Sequence, residues 1–464
     1  MRLRAPKRWL PMETSMKADE GMVAEIERRI VSKVNWRVML IFMLGYLISF
    51  VDRANLGVLA GPISKDLHLS AASFGLAAGV FYIGYLLFAI PSNMAIVRFG
   101  GRFWMGCIMA GWGLVCFGLA AARSETWLLA CRILLGVTEA GFYPGAMFLM
   151  TLWYPPRALA KAYATYTAFT PLALVFGALA TSALLSLHGF GPIADWRLVF
   201  VLEGIPAFLL GIYTWLSLPS RPKDAKWLSA EEKAYLASQI PEVARGQRGD
   251  ATRALVKTLK DPFSWLFALL YFLMLLGYWG LIYFMPRILQ SRFHTDPVHA
   301  GFISTLPWLF ACVLIYAMGK SSAMTGERRW HMAIGLILSG AGLYLAASTD
   351  SSVLTLLGLC LGAGGAPAAA AFFWTMPATV FAGATVAIAM AMVNSVGNLS
   401  GFAGPWVIGV LTDLSGDSRL ALYVLACMCI LAAALAFTMA SIVQRRGASW
   451  GVTADKSLSG ATGH

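Results

Sequence analysis

The stretch Cys131-Arg132-Ile133-Leu134-Leu135-Gly136-Val137-Thr138-Glu139-Ala140-Gly141-Phe142-Tyr143-Pro144-Gly145 lies inside an apolar run from about Thr126 to Met150. That run is long enough to cross a bilayer as a helix. It nevertheless carries an arginine and a glutamate. A charge near a bilayer centre costs roughly 2.5–3.5 kcal/mol on insertion scales, so each needs a partner, a water-filled cavity or a task. Arg132 and Glu139 are seven residues apart, and seven helical steps return to nearly the same face, roughly 10 Å along the axis. The spacing predicts that both project along one wall. They are then either a buried ion-paired spacer between helices, or an anion contact above a titrating acid that lines a transport path.

Outward from this stretch, the whole chain has the same character. Of 464 residues, 58% are hydrophobic and only 13% charged, where soluble domains carry roughly 25% charged residues. Mean hydropathy is +0.68. Apolar runs recur from end to end, which predicts a polytopic membrane protein. The net charge of +13 does not indicate a nucleic-acid binder, because the basic residues are dispersed between apolar runs and not gathered on one face. The seven cysteines fall singly in apolar runs, with no CxxC or His/Cys cluster, so neither disulfides nor a metal site is expected. The first 36 residues have no apolar core or small-residue cleavage site, and the first membrane helix is expected to serve as the insertion signal.

Twelve helices are predicted, near Trp36–Leu59, Ser73–Val97, Phe103–Ala122, Thr126–Met150, Ala160–Leu187, Leu198–Leu218, Phe263–Met285, Ala300–Lys320, Trp330–Ala347, Val353–Trp374, Thr385–Leu411 and Arg419–Gln444. The expected organisation is a cytoplasmic segment 1–35, a six-helix half 36–218, a cytoplasmic linker 219–262, a second six-helix half 263–444 and a cytoplasmic tail 445–464. With both termini inside, 28 of the 36 Lys and Arg residues fall on the cytoplasmic side and 6 on the other, as the positive-inside rule demands. Met16–Lys33 is expected to form a short amphipathic helix on the membrane surface. In the linker, Ser229-Ala230-Glu231-Glu232 has the spacing of a helix-capping box. Both are read as connectors. Pro91, Pro144, Pro171, Pro206, Pro307 and Pro367 lie within predicted helices, where proline removes a backbone hydrogen bond and kinks the helix. The two halves repeat a short Gly/Arg loop after their second helix, Val97-Arg98-Phe99-Gly100-Gly101-Arg102 and Met324-Thr325-Gly326-Glu327-Arg328-Arg329. Repeated six-helix halves around a linker are the architecture of alternating-access transporters.

Five blocks, in order, carry a family resemblance: Asp52-Arg53-Ala54-Asn55-Leu56; Gly84-Tyr85 to Ile90-Pro91-Ser92-Asn93; Arg132 to Gly145; Leu202-Glu203-Gly204-Ile205-Pro206-Ala207; and Asn394 to Pro405. The chain resembles the major facilitator superfamily. Within it, the chain is similar to the anion:cation symporter family, in the branch of bacterial tartrate, phthalate, hydroxyphenylacetate and galactonate permeases. The superfamily's loop pattern G-x-x-x-D-R-x-G-R-R is altered here. Asn93 stands at its first glycine, Val97 at its aspartate and Gly101 at one arginine; in the second half, Ala323-Met324 replace Asp-Arg. The usual gating acids are thus absent from both motif positions.

Counting along the first and fourth helices at 1.5 Å per residue puts Arg53 and Arg132 at similar depth, roughly 8–9 Å below the outer edge, with Glu139 near the midplane. Adjacent residues point about 100° apart, so Asp52 and Arg53 cannot both face a cavity squarely. Guanidinium forks match carboxylates. The resemblance implies that Arg53 and Arg132 contact the substrate acid and that Asp52 and Glu139 take part in proton coupling. A four-charge structural network is the alternative. Asn394 and Asn398 share one helix face, and Tyr85, Tyr271 and Trp374 are aromatics in positions that can face a cavity; all five are candidate ligand contacts. Glu203 reads as part of a helix-packing motif.

The expected function is proton-coupled uptake of a small organic anion, such as a sugar acid, dicarboxylate or aromatic carboxylate, by a functional monomer in a bacterial inner membrane. The proton gradient supplies the energy, and no cofactor, metal or catalytic residue is expected. The alternatives are an anion exchanger, a sodium-coupled carrier, or a membrane sensor that binds without transporting. No HExxH, GxSxG or P-loop motif points to an enzyme.

Overall fold

The computed structural model describes residues 12–187, 194–239, 256–381 and 384–445. The predicted segment 1–35 therefore lies partly outside the described residues, as does much of the linker and nearly all of the tail. Among the described residues eleven helices are long and apolar enough to cross a membrane. They are α1 (Met22–Val58), α2 (Ala71–Phe99), α3 (Gly101–Ala120), α4 (Glu125–Trp153), α5 (Pro156–Leu185), α6 (Asp195–Ser217), α7 (Pro262–Phe293), α8 (Pro297–Thr325), α9 (Arg329–Ser348), α10 (Ser352–Phe373) and α12 (Arg419–Val443). The twelfth predicted crossing, α11, is split at Leu399 into Ala384–Asn398 and Ser400–Ser415. The result is the twelve-helix architecture expected from the sequence.

Local chemistry sets the helix ends. Ser70, Ser124 and Ser351 cap α2, α4 and α10 by accepting a backbone N–H three residues on, satisfying one of the orphan donors of the first turn. Three internal breaks lie two to four residues upstream of a proline: Ala140–Gly141 before Pro144, Phe169 before Pro171 and Ser304 before Pro307. The proline ring clashes with the carbonyl four residues back, so the helix yields there. Pro91, Pro206 and Pro367 sit in uninterrupted helices.

One expectation fails. Met16–Lys33 is not a separate short helix; Met12–Val34 continues through a π-helical turn, Asn35–Met39, into Leu40–Val58, so that it forms the first part of α1. It docks on the linker helix Ala230–Gln239, where Lys33 Nζ donates to both Glu232 oxygens at 2.8 Å and Tyr235 donates to Glu27 at 2.6 Å. The capping box read from the sequence is present, with Ser229 N–H donating to Glu232 at 2.8 Å and Glu232 N–H to Ser229 Oγ at 3.2 Å. Trp227 stacks on Trp153 of α4, ring centres 5.4 Å apart. Lys33 and Glu27 thus find their partners on the linker helix, within the protein.

The two halves meet where α1 packs on α7, α2 on α11 and α5 on α8. Backbones touch in this region: a Cβ on Gly75 would lie 2.3 Å from the carbonyl oxygen of Pro405. Asp413, near the end of α11, accepts the first two backbone N–H groups of α2, from Ala71 at 2.9 Å and Ala72 at 2.8 Å. This closed end carries the α1–α2 connection. From beneath it a cavity of about 1070 Å³ runs toward Ala164, Tyr316 and Ala371, the end from which the linker leaves.

Candidate functional site

The cavity is lined by both halves. Successive turns of α1 supply Tyr46, Ser49, Phe50 and Arg53; α2 supplies Tyr82 and Tyr85; α4 supplies Glu139, Phe142 and Tyr143. The second half contributes Tyr271, Tyr278 and Trp279 from α7, Trp308 and Tyr316 from α8, Trp374 at the end of α10, and Asn394 and Asn398 from α11. Of the nine residues singled out in the sequence, seven therefore line the cavity: Arg53, Tyr85, Glu139, Tyr271, Trp374, Asn394 and Asn398. Arg132 and Asp52 do not.

At the head of the cavity Arg53 Nη2 donates to Glu139 Oε1 at 2.6 Å. Ser49 Oγ, one turn before Arg53, donates to the same oxygen. The guanidinium lies between rings, its carbon 4.9 Å from the centre of Phe50, 5.2 Å from Phe81 and 5.9 Å from both Tyr85 and Trp279. Such π faces attract a cation most strongly when it is desolvated. Arg53 Nε has no hydrogen-bond partner, so the fork is only partly used.

Arg132 corrects the reading of the opening stretch. Its guanidinium is fully buried, and it turns to α2, donating from Nε to Ala77 O at 3.1 Å and from Nη2 to Ala78 O at 3.3 Å. Tyr283 of α7 is its contact in the other half, at 3.5 Å. The cause is Gly136, one turn along α4 on the same face. There a Cβ would lie 2.0 Å from Phe81 O, so the α2 backbone lies directly against α4 and its carbonyls capture the arginine above. Phe81 separates the two cations, its ring 5.1 Å from the Arg132 guanidinium carbon. The acid's cation partner at the cavity is thus Arg53 on α1, seven residues' worth of helix geometry on α4 notwithstanding.

Asp52 points away from the cavity, as the helical step from Arg53 requires. It is buried beside Cys116 of α3. In the second half, Tyr271 stacks on Phe373 at 4.9 Å and meets Trp374 edge-on at 4.8 Å. Sequence reasoning missed Tyr46, Ser49, Tyr143 and Trp279. For Tyr46 and Ser49 a signal existed, since both lie seven and four residues before Arg53, on its face.

This chain belongs to the Major Facilitator Superfamily, whose family model matches residues 42–322 and 267–458; it is a multi-pass membrane transporter of small molecules and not an enzyme. It is 35% identical over 423 residues to an Agrobacterium vitis protein named "Putative tartrate transporter", covering 91% of this chain and 94% of that protein. It is 31% identical to the quinolone resistance transporter of Acinetobacter baumannii, covering 91% of this chain and 97% of that protein. To the inner membrane transport protein RhmT of Escherichia coli it is 32% identical, covering 87% and 94%. Among solved structures, an inward-facing, unoccupied bacterial homolog of the human lysosomal transporter Spinster superposes with TM-score 0.74 at 21% identity, covering 88% of this chain and 97% of that one. A D-xylose-proton symporter superposes with TM-score 0.68 at 16% identity, covering 87% and 97%. These structural likenesses concern the fold alone.

Proposed function

We propose that this transporter carries a small organic carboxylate together with a proton into the cell across a bacterial inner membrane. The observation that carries the reading is the Arg53–Glu139 pair at the head of the cavity. An incoming carboxylate competes with Glu139 for the Arg53 fork, which suits a planar anion. Glu139, deprived of its cation in a poorly solvated site, then takes up a proton, so anion and proton load together. When the anion leaves, Arg53 reclaims Glu139 and the proton is released. The tartrate-transporter relatives support the choice of an organic anion. The aromatic lining from the second half, with Tyr271, Tyr278, Trp279, Trp308 and Trp374, favours an acid with an apolar body. Asn394 and Asn398 are placed to bond its polar groups.

The test uses proteoliposomes with an imposed pH gradient in sodium-free buffer. The wild type should accumulate its anion, whereas Glu139→Gln should bind and exchange it in counterflow but fail to concentrate it. Accumulation by Glu139→Gln at the wild-type level would remove Glu139 from the coupling mechanism. Uptake that needs sodium, or only a counter-anion, would replace the proton with those partners.

A further inference from the structure

Behind the cavity wall, α1 presents a second polar cluster to α3, α5 and α6. Glu203 accepts one hydrogen bond on each carboxylate oxygen, from Asn55 Nδ2 at 2.6 Å and Thr181 Oγ1 at 2.7 Å. Asp52, one turn before Asn55, has no nitrogen or oxygen donor on either carboxylate oxygen, only the weakly donating Cys116 thiol beside it. Asp52 is 2% exposed and Glu203 5%, and none of these side chains lines the cavity. The charged groups within reach of Asp52 are Glu203 on α6, and Glu139 and Arg132 on α4. Among the described residues neither Asp52 nor Glu203 forms an ion pair.

The charges buried within the membrane helices do not balance. Among the described residues of these helices, Arg53 and Arg132 are the buried cations, and Asp52, Glu139 and Glu203 the buried acids. Arg53 is matched by Glu139. That leaves Arg132 to offset two carboxylates, and an uncompensated ionised carboxylate in such surroundings costs several kcal/mol. One positive charge is missing.

We propose that Asp52 and Glu203 share one proton, held in a buried cluster that does not line the substrate cavity. Glu203 is the positioning residue: with both oxygens already accepting, it remains the carboxylate. Asp52, met only by the weakly donating Cys116 thiol, is the group that carries the hydrogen. Arg132 then balances the remaining negative charge. This rests on burial and charge balance and stands independently of the substrate and of the Glu139 cycle.

Infrared spectroscopy of the full-length protein in liposomes at neutral pH tests it. The wild type should show the carbonyl stretch of a protonated carboxyl group, shifted in D2O. Asp52→Asn and Glu203→Gln should each abolish the band, because either substitution removes the charge that requires the proton. Glu203→Asp should restore it, which a merely structural role for Glu203 does not predict. Absence of the band in the wild type, or its persistence in either variant, would overturn the proposal. The wild-type measurement stands even if a variant fails to fold. A thermal stabilisation by sodium over choline that Glu203→Gln loses would place a metal cation in the cluster and also overturn it.

Discussion

Arg53 and Arg132 carry the same charge at similar depth, yet their surroundings give them different work. Each keeps one donor without a partner, Arg53 Nε and Arg132 Nη1, but Arg53 meets the cavity and an exchangeable acid, whereas Arg132 is held by the Ala77 and Ala78 carbonyls and by Tyr283 across the interface between halves. Arg53→Lys keeps the charge but loses the fork, so binding should weaken by about 1.5–3 kcal/mol, roughly ten- to hundredfold. Arg132→Lys should leave equilibrium binding nearly unchanged and slow exchange, since it disturbs the closed end and not the cavity. Isothermal titration paired with counterflow on both variants separates these outcomes. Equal losses of affinity would return Arg132 to the substrate site.

At the scale of elements, the closed end is held by one helix capping another across the two halves. Asp413 of α11 satisfies two N–H donors at the start of α2 and places a negative charge at that helix's positive end. Losing an N-terminal cap typically costs about 1 kcal/mol, roughly a fivefold change in the balance of two states. Asp413→Ala should therefore open this end more often, and spin labels at His68 and Ser415 should show a larger long-distance population. An unchanged distance distribution would mean that the glycine contacts alone keep the gate shut. The neighbouring Gly75–Pro405 approach shows how close that packing is.

Over the whole molecule, the linker joins the N-terminal helix, through Glu232, to the foot of α4, through Trp227. Burial works to raise the Glu232 carboxyl, but hydrogen bonds from Lys33 and from the Ser229 backbone outweigh it and hold the group below its ordinary value. A depressed carboxyl contributes stability that is present above its unfolded pKa and is lost as pH falls through the folded one. The clamp should accordingly loosen only in acid, below the usual glutamate range. Hydrogen exchange over Ala230–Gln239 should rise there in the wild type, while Glu232→Gln should exchange faster already at neutral pH; matching profiles would show that Lys33 adds nothing. The distribution of Lys and Arg predicts that both termini and the linker face the cytoplasm. A periplasm-active reporter fused after Ser238 should stay silent, and a strong signal would invert the topology.

Hydropathy, spacing and turn chemistry made most of the architecture legible: the helices, the Ser229–Glu232 capping box and the breaks ahead of Pro144, Pro171 and Pro307 depend on interactions between residues a few positions apart. So does the opposite facing of Asp52 and Arg53, which is a property of one helix. The pairing of Glu139 with Arg53 and not Arg132 was not legible, because the close approach of α2 to α4 at Gly136 decides where Arg132 can reach. The docking of Met12–Val34 on the linker is likewise a contact between segments some two hundred positions apart. The sequence by itself determined which charges enter the membrane, and the order of the helices that carry them. Only the tertiary structure decided which charge meets which, because a buried ion takes the nearest donor or acceptor that backbone packing leaves within hydrogen-bonding distance.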